Sequence, residues 1–507
     1  MNKILKLLFN RVVVTGLLIL LQLSIILFWI LTFTNEFIYF YFFSLILGLA
    51  MVIYILGRTD NPSFKLAWAI TILVLPIFGG LLYIIFGGNK VRRRLKRKIE
   101  NNYEDIINHF DKNDNLIDEI ADVNKSVANQ LKYIKNTSKF PIYKNTSTKY
   151  FSCGEDFFPV YLEELKKARK FIFMEYFIIS KGKMWSEILK ILVEKVNEGV
   201  DVRIIYDDFG CAKGLPNKYH KKLQSLGIKV QVFNQLVPVL SSALNNRDHR
   251  KITVIDGKTA FTGGLNLADE YINEIERFGY WKDSAILIKG EAVWSFTIMF
   301  LQVWSFNCGH KIDYAKYRTD NNLKSDGYVQ VFADSPYDGE LIGESIYMNI
   351  LNKAKDYVYI FTPYLIIDNE LLTSLILASK SGIDVRLVTP HIEDKWYVHI
   401  ITKSYYAQLI EAGVKIYEYT PGFIHSKVFL CDDEIAVVGT INMDYRSLYF
   451  HFECGAYLYK TECINEIKQD FKNTFKDSKL IILEDTKKIK WYNMFLRAFI
   501  RLVAPLL

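Results

Sequence analysis

Two histidines in this chain open the same pattern. His249-Arg250-Lys251 runs through Ile252-Thr253-Val254-Ile255 to Asp256-Gly257, and His425-Ser426-Lys427 runs through Val428-Phe429-Leu430-Cys431 to Asp432-Asp433. Each reads HxKxxxxD, and each is followed by an asparagine, Asn266 or Asn442, 17 positions after its histidine. Residues i and i+2 of a strand share a face, so each imidazole projects together with its ammonium group. Two such pairs converging on one pocket suit a tetrahedral phosphate. Lysine offers a point charge to non-bridging oxygens, and asparagine amides donate hydrogen bonds to them. One imidazole can attack phosphorus while the other protonates the departing alkoxide and then deprotonates an incoming alcohol. This chemistry needs neither metal nor cofactor, and no carboxylate cluster suited to Mg²⁺ stands beside the motifs.

A histidine working in this way wants a carboxylate behind it to fix its tautomer. Glu453 lies 28 positions after His425 and is expected to serve it; Asp283, in Tyr280-Trp281-Lys282-Asp283, is expected to serve His249. Asp256 and Asp432 fall at a turn on the far end of the strand from the imidazoles, where they are expected to hold local structure rather than take protons. His109, His220, His310, His391, His399 and His451 lack the motif context and read as surface or satisfied core residues. Tyr176, Tyr206 and Tyr364, near strand ends, read as core packing.

The elements that must position these groups occur twice. Lys170–Tyr176 reads as an apolar strand, Met184–Glu198 as a helix, and Gly199-Val200-Asp201-Val202-Arg203 opens a second strand. The later counterparts are Tyr357–Phe361, Asn369–Ser379 and Gly382-Ile383-Asp384-Val385-Arg386. Further on, Leu226-Gly227-Ile228-Lys229-Val230 answers Ala412-Gly413-Val414-Lys415-Ile416. Repeated echoes in one order mark an internal duplication. Strand, helix, strand in succession predicts an α/β fold with mostly parallel pairing and helices on the sheet faces.

The length of 507 residues calls for several domains. Six scattered cysteines without a CxxC pair exclude a disulfide framework or zinc ribbon and fit reduced thiols facing a cytosol. The net charge of +8 suggests an anionic partner without choosing nucleic acid or phospholipid. No basic stripe interleaved with exposed aromatics appears in the body, which argues against nucleic acid. Apolar residues are concentrated at the N-terminus, in uncharged stretches at 12–33, 37–56 and 66–86, the last interrupted by Pro76 and Gly79-Gly80. Each has the length to cross a bilayer. The third can also be re-entrant, since proline and glycine stand where a helix breaks. The run Lys90, Arg92, Arg93, Arg94, Lys96, Arg97, Lys98 places everything after Phe86 on the cytoplasmic side. From Ile99 to about Lys144 the chain reads as a helical linker, and 490–503 as a basic, aromatic helix suited to a membrane interface.

The duplicated HxKxxxxD resembles the phospholipase D superfamily. Within it the chain is similar to bacterial cardiolipin synthases, through Lys65-Leu66-Ala67-Trp68-Ala69, Asn246-Arg247-Asp248-His249-Arg250-Lys251, Phe278–Asp283 and Gly439–Ser447. The resemblance covers about residues 50 to 507. It implies two phospholipase D-like units, each a mixed sheet flanked by helices, forming one bilobal body behind a transmembrane region. The expected divisions are 1–88 (membrane), 89–145 (linker), 146–323 (first unit) and 324–507 (second unit). The implied reaction joins two phosphatidylglycerol molecules into cardiolipin and releases glycerol. A phospholipase D or a phosphatidylserine synthase would share the intermediate and differ in acceptor. Carried over, His249, Lys251, Asp256, His425, Lys427 and Asp432 form the catalytic set, and Lys251, Lys427, Asn266 and Asn442 bind phosphate. The family often has two N-terminal hydrophobic segments where this chain has three.

Overall fold

The computed structural model describes residues 37–87, 106–110, 115–235, 245–308, 312–320, 323–337, 339–487 and 491–506, with scattered positions between 17 and 28. The first apolar stretch and the basic run at 90–98 thus lie largely or wholly outside the described residues. The chain divides into an N-terminal unit (1–90 with 236–244 and 498–507) and a larger one (91–235 with 245–497).

In the N-terminal unit, α1 (Phe37–Leu56) exposes Phe42, Phe43, Ile46 and Ile53. The third apolar stretch is not one helix. Asn61 caps α2 (Pro62–Val74) by accepting the Ser63 N–H at 2.9 Å, and Pro76 starts α3 (Pro76–Phe86). Proline at a first helical position is favourable there and ends the helix before it. Val52, Ile55, Trp68, Ile72 and Tyr83 bury a small core among these helices. Among the described residues no helix is long and apolar enough to cross a membrane.

The larger unit holds two sheets with one strand order. The first runs β2 (Thr146–Phe151), β9 (Ala285–Gly290), β7 (Thr259–Gly263), β6 (Lys251–Ile255), β3 (Phe171–Tyr176), β4 (Asp201–Asp207), β5 (Lys229–Phe233). The second runs β1 (Ile142–Tyr143), β10 (Tyr328–Asp334), β19 (Glu453–Tyr459), β17 (Ile435–Gly439), β16 (Val428–Cys431), β11 (Tyr357–Phe361), β13 (Asp384–Pro390), β14 (Lys415–Tyr419), β20 (Ser478–Ile481). Stripped of edge strands β1 and β20, the second repeats the first strand for strand. The duplication legible in the sequence is therefore structural. The expectation of mostly parallel pairing is corrected: within these two sheets, among the described residues, β3–β4–β5 and β11–β13–β14 pair in parallel and the other neighbours antiparallel. The strand after each HxK returns through a tight turn, and a hairpin can only pair antiparallel.

Two short parallel pairs complete the set: β8 (Tyr280–Lys282) with β15 (Gly422–Ile424), and β12 (Leu365–Ile366) with β18 (Met443–Asp444). The apolar helix α4 (Val293–Cys308) buries Phe296, Met299, Phe300 and Leu301 in a core shared by both sheets, with Ile252, Val254 and Ile286 from one and Val428, Leu430 and Val438 from the other. The expected linker is helical in part, as α5 (Lys125–Ser138), but α5 is built into the second half. It buries Val127, Leu131 and Ile134, and Gln130 Nε2 donates to the Ile346 carbonyl at 3.3 Å. Because β1 adds to the second sheet, this segment belongs to the packed body rather than to a spacer.

Candidate active site

Each motif histidine stands just before its strand, so its ring leaves the sheet at the strand entrance while Lys251 or Lys427 begins the buried run. The Asp-Gly and Asp-Asp turns at the other end take positive φ, 51° at Asp256 and 52° at Asp432. There the Asp256 carboxylate accepts the N–H groups of Arg169, Lys170 and Phe171 at 2.7–2.8 Å, and Asp432 those of Lys355, Asp356 and Tyr357 at 2.8–2.9 Å. Seven residues of extended chain put each carboxylate about 20 Å from its histidine. Asp256 and Asp432 thus leave the expected catalytic set. They tie the hairpin turn to the start of β3 or β11, as the turn reading anticipates.

The two carboxylates chosen from sequence do meet the histidines, but crosswise. His249 Nδ1 donates to Glu453 at 2.8 and 3.0 Å, and His425 Nδ1 to Asp283 at 2.6 Å. The expected pairing within each copy is corrected, for a reason visible in the backbone. β8, which leads into Asp283, pairs with β15, which leads into His425, and the His425 N–H donates to the Lys282 carbonyl at 2.7 Å. Likewise the His249 N–H donates to the Phe452 carbonyl at 2.9 Å, and the Phe452 N–H to the Arg247 carbonyl at 2.8 Å. Each carboxylate is thereby delivered across the junction of the copies.

Both carboxylates are fully buried. Glu453 also accepts the hydroxyls of Thr440 and Ser447, and Asp283 the Ser284 N–H at 2.8 Å. Gly264 occupies the position that Thr440 takes in the second copy. A Cβ there would stand 1.9 Å from Asp283 Oδ1, so only glycine lets the loop pass. Burial works to raise both carboxyls, but His425 and Lys427 outweigh it at Asp283, and His249 and Lys251 outweigh it at Glu453, so both are held below the usual range. Burial pulls His249 down to about 3 and His425 to about 4 against the pull of those carboxylates. Each pair is therefore a neutral imidazole donating Nδ1–H to a carboxylate, which leaves the Nε2 lone pair for attack.

Burial also lowers Lys251 to about 8 and Lys427 to about 7. Their Nζ atoms donate to the carbonyls of His249 and His425 respectively. Lys251 acts electrostatically on Lys427, His425 and Asp283 of the opposite dyad, so both motifs share one electrostatic field. Asn266 is largely engaged by the protein: its Oδ1 accepts the Ile178 N–H at 3.0 Å, and Nδ2 donates to the Tyr271 hydroxyl at 2.8 Å, leaving one amide hydrogen for a ligand. Asn442 buries an Oδ1 without a partner.

Three features escaped the sequence. His451, set aside there as surface or core, lies against His249 with ring centroids 5.4 Å apart and the planes tilted by 43°. His249, His451 and Glu453 are the described residues closest to a metal-binding set, with donor atoms within 4.8 Å of one another. The Glu453 oxygens are, however, already taken by His249, Thr440 and Ser447. Behind His249 lies a buried ionic cluster of Glu175, Asp248 and Arg250, where burial and then Asp248 push the Glu175 carboxyl well above its ordinary range. The second copy has Phe361, Ile424 and Ser426 at the corresponding strand positions, so its motif carries no sign of such a cluster. Aromatic rings also close around the imidazoles, Phe177 on His249 and Tyr271 and Trp281 on His425.

A family model described as "Cardiolipin synthase, PLD-like domain" matches residues 161–291 and 347–475, one match on each histidine motif. The chain belongs to the cardiolipin synthase family of phosphatidyltransferases. A second model, "Phospholipase_D-nuclease N-terminal", matches 46–88. A cardiolipin synthase of Halalkalibacterium halodurans is 34% identical over 92% of this chain and 94% of its own. An uncharacterized protein of Streptococcus mutans is 46% identical over 90% of this chain and 99% of its own. The crystal structure of phosphatidylserine synthase from Haemophilus influenzae aligns with a TM-score of 0.58 at 14% identity, over 75% of this chain and all of that one, which shows a common fold.

Proposed function

We propose that this cardiolipin synthase joins two phosphatidylglycerol molecules through a phosphohistidine. The observation that carries the reading is the pair of crossed dyads, each a buried neutral imidazole oriented by an ionised carboxylate. One Nε2 attacks the phosphodiester of a first phosphatidylglycerol, and the bond from phosphorus to glycerol breaks. The other histidine, which takes up a proton at Nε2 from solvent as the anionic substrate enters, delivers it to the departing glycerol. It then takes one from a glycerol hydroxyl of the second lipid, whose oxygen attacks phosphorus as the P–N bond breaks. Lys251, Lys427, Asn442 and the spare Asn266 hydrogen would face the phosphate oxygens. The proton taken from the second lipid returns to solvent, so the balance closes with cardiolipin, glycerol and the enzyme in its starting state.

A lipid-to-lipid transfer needs a site at a membrane, and the exposed apolar side chains of α1, with Phe495 and Phe499 on the C-terminal helix Trp491–Val503, support attachment there. The proposed location is a cell membrane, with several N-terminal crossings and the body on the cytoplasmic side by virtue of Lys90–Lys98. The divisions at 88 and 323 remain part of the same proposal.

The purified protein in phosphatidylglycerol vesicles tests the reaction. Equal amounts of cardiolipin and glycerol are expected, and His249→Ala and His425→Ala should each abolish both. Phosphatidic acid as the main product would make the acceptor water and overturn the synthase reading.

A further inference from the structure

The two halves of the site carry equivalent backbone around unlike rings. Phe452 accepts from the His249 N–H as Lys282 accepts from the His425 N–H. The residues beside them correspond in turn, Glu453 to Asp283 and His451 to Trp281. The correspondence extends to the rings: Trp281 lies 5.5 Å from the His425 ring at 48°, and His451 lies 5.4 Å from the His249 ring at 43°. One shelf is an indole, the other an imidazole. Each ring buries a nitrogen without a hydrogen-bond partner, and that of His451, Nδ1, stands 3.7 Å from Glu453 Oε1. The His451 side chain is only 10% exposed, so water does not readily satisfy that atom. A buried polar atom left unpaired costs free energy that closure of a hydrogen bond recovers.

We propose that His451 is a positioning residue for the His249 half of the reaction. Its Nδ1–H closes onto Glu453 as the lipid phosphate engages His249 and holds the carboxylate on the His249 Nδ1–H while the P–N bond forms and breaks. No proton changes owner in this step. The hydrogen bond lends Glu453 a further donor at the stage when phosphorylated His249 carries positive charge. In the opposite half an indole, whose single N–H is fixed in the ring, stands in place of the imidazole.

The inference rests on the proposed transfer reaction, and the test separates the two. Consumption of phosphatidylglycerol, whatever the product, is measured in vesicles for His451→Asn and His451→Phe. Asparagine keeps an N–H donor within reach; phenylalanine keeps only a ring. Loss of the donor should lower kcat about tenfold or more, as for other residues that orient an active group, with KM within about twofold. The asparagine variant should stay within about threefold of the parent. Thermal melting identifies a variant that fails to fold, and the asparagine rescue then decides alone. Full kcat in the phenylalanine variant would reduce His451 to a packing shelf. Equal loss in asparagine and phenylalanine would deny it a donor role. A parent enzyme that makes phosphatidic acid defeats the synthase reading while leaving this comparison intact.

Discussion

At the scale of single residues, the crossed dyads decide which histidine answers to which carboxylate. Glu453→Gln should move the ¹⁵N resonances of His249 and leave those of His425 in place; Asp283→Asn should do the reverse. A response within the copy would contradict the geometry. Each substitution should cost about 10²–10⁴ in kcat, since an imidazole loses its oriented tautomer. The lysines set a pH dependence. Lys427 and Lys251, lowered to about 7 and about 8, are cations below those values and neutral above them. kcat/KM, which reports the free enzyme, should therefore fall as pH rises through 7 to 8. Lys427→Arg, whose guanidinium keeps its charge, should shift that limb upward; an unmoved limb would assign it to another group. The histidines, lysines and both carboxylates were legible one by one. Their partnership was not, because Glu453 lies 204 positions from His249 and offsets counted within one copy cannot see it. His451 escaped for a similar cause, although its place two residues before Glu453 matches that of Trp281 before Asp283.

At the scale of elements, the aspartates that end the motifs are structural ties. Asp432→Ala removes three hydrogen bonds from backbone N–H groups to a charged acceptor and leaves a strained turn, which should cost about 2–4 kcal/mol of stability. The unfolding midpoint in detergent should drop, while kcat per folded molecule stays close to the parent. A collapse of kcat in folded protein would return Asp432 to the chemistry. The turn was readable because Asp-Gly has few other uses between two apolar strands. The mixed character of the sheets was less so: βαβ echoes announce the parallel strands, whereas the antiparallel remainder is set by hairpins whose partners only tertiary packing fixes. Pro76 marked the break between α2 and α3. The segment at 125–138 passed for a linker because its apolar side chains are few and its hydrogen-bond partner, the Ile346 carbonyl, is remote in sequence.

At the scale of the larger unit, neither half owns a complete dyad or a closed core. Ile252, Val428 and the α4 side chains bury one another. A fragment ending at 323 should neither fold stably nor turn over lipid, and co-expression with 324–507 should restore both together. Activity from the first fragment alone would refute the shared site.

The crossing has an evolutionary reading as well. In a twofold-symmetric pair of identical subunits, residue i of one meets residue j of its mate and j meets i. Here that reciprocity survives inside one polypeptide, as though a dimer had been fused by a tether. Fusion removed the requirement that the mates be identical. Histidine could then stand where its twin kept tryptophan, and an Asn266 whose oxygen is engaged where its twin leaves an oxygen unpaired. A symmetric ancestor would have had two interchangeable imidazoles, whereas a fused one is able to assign them separate tasks.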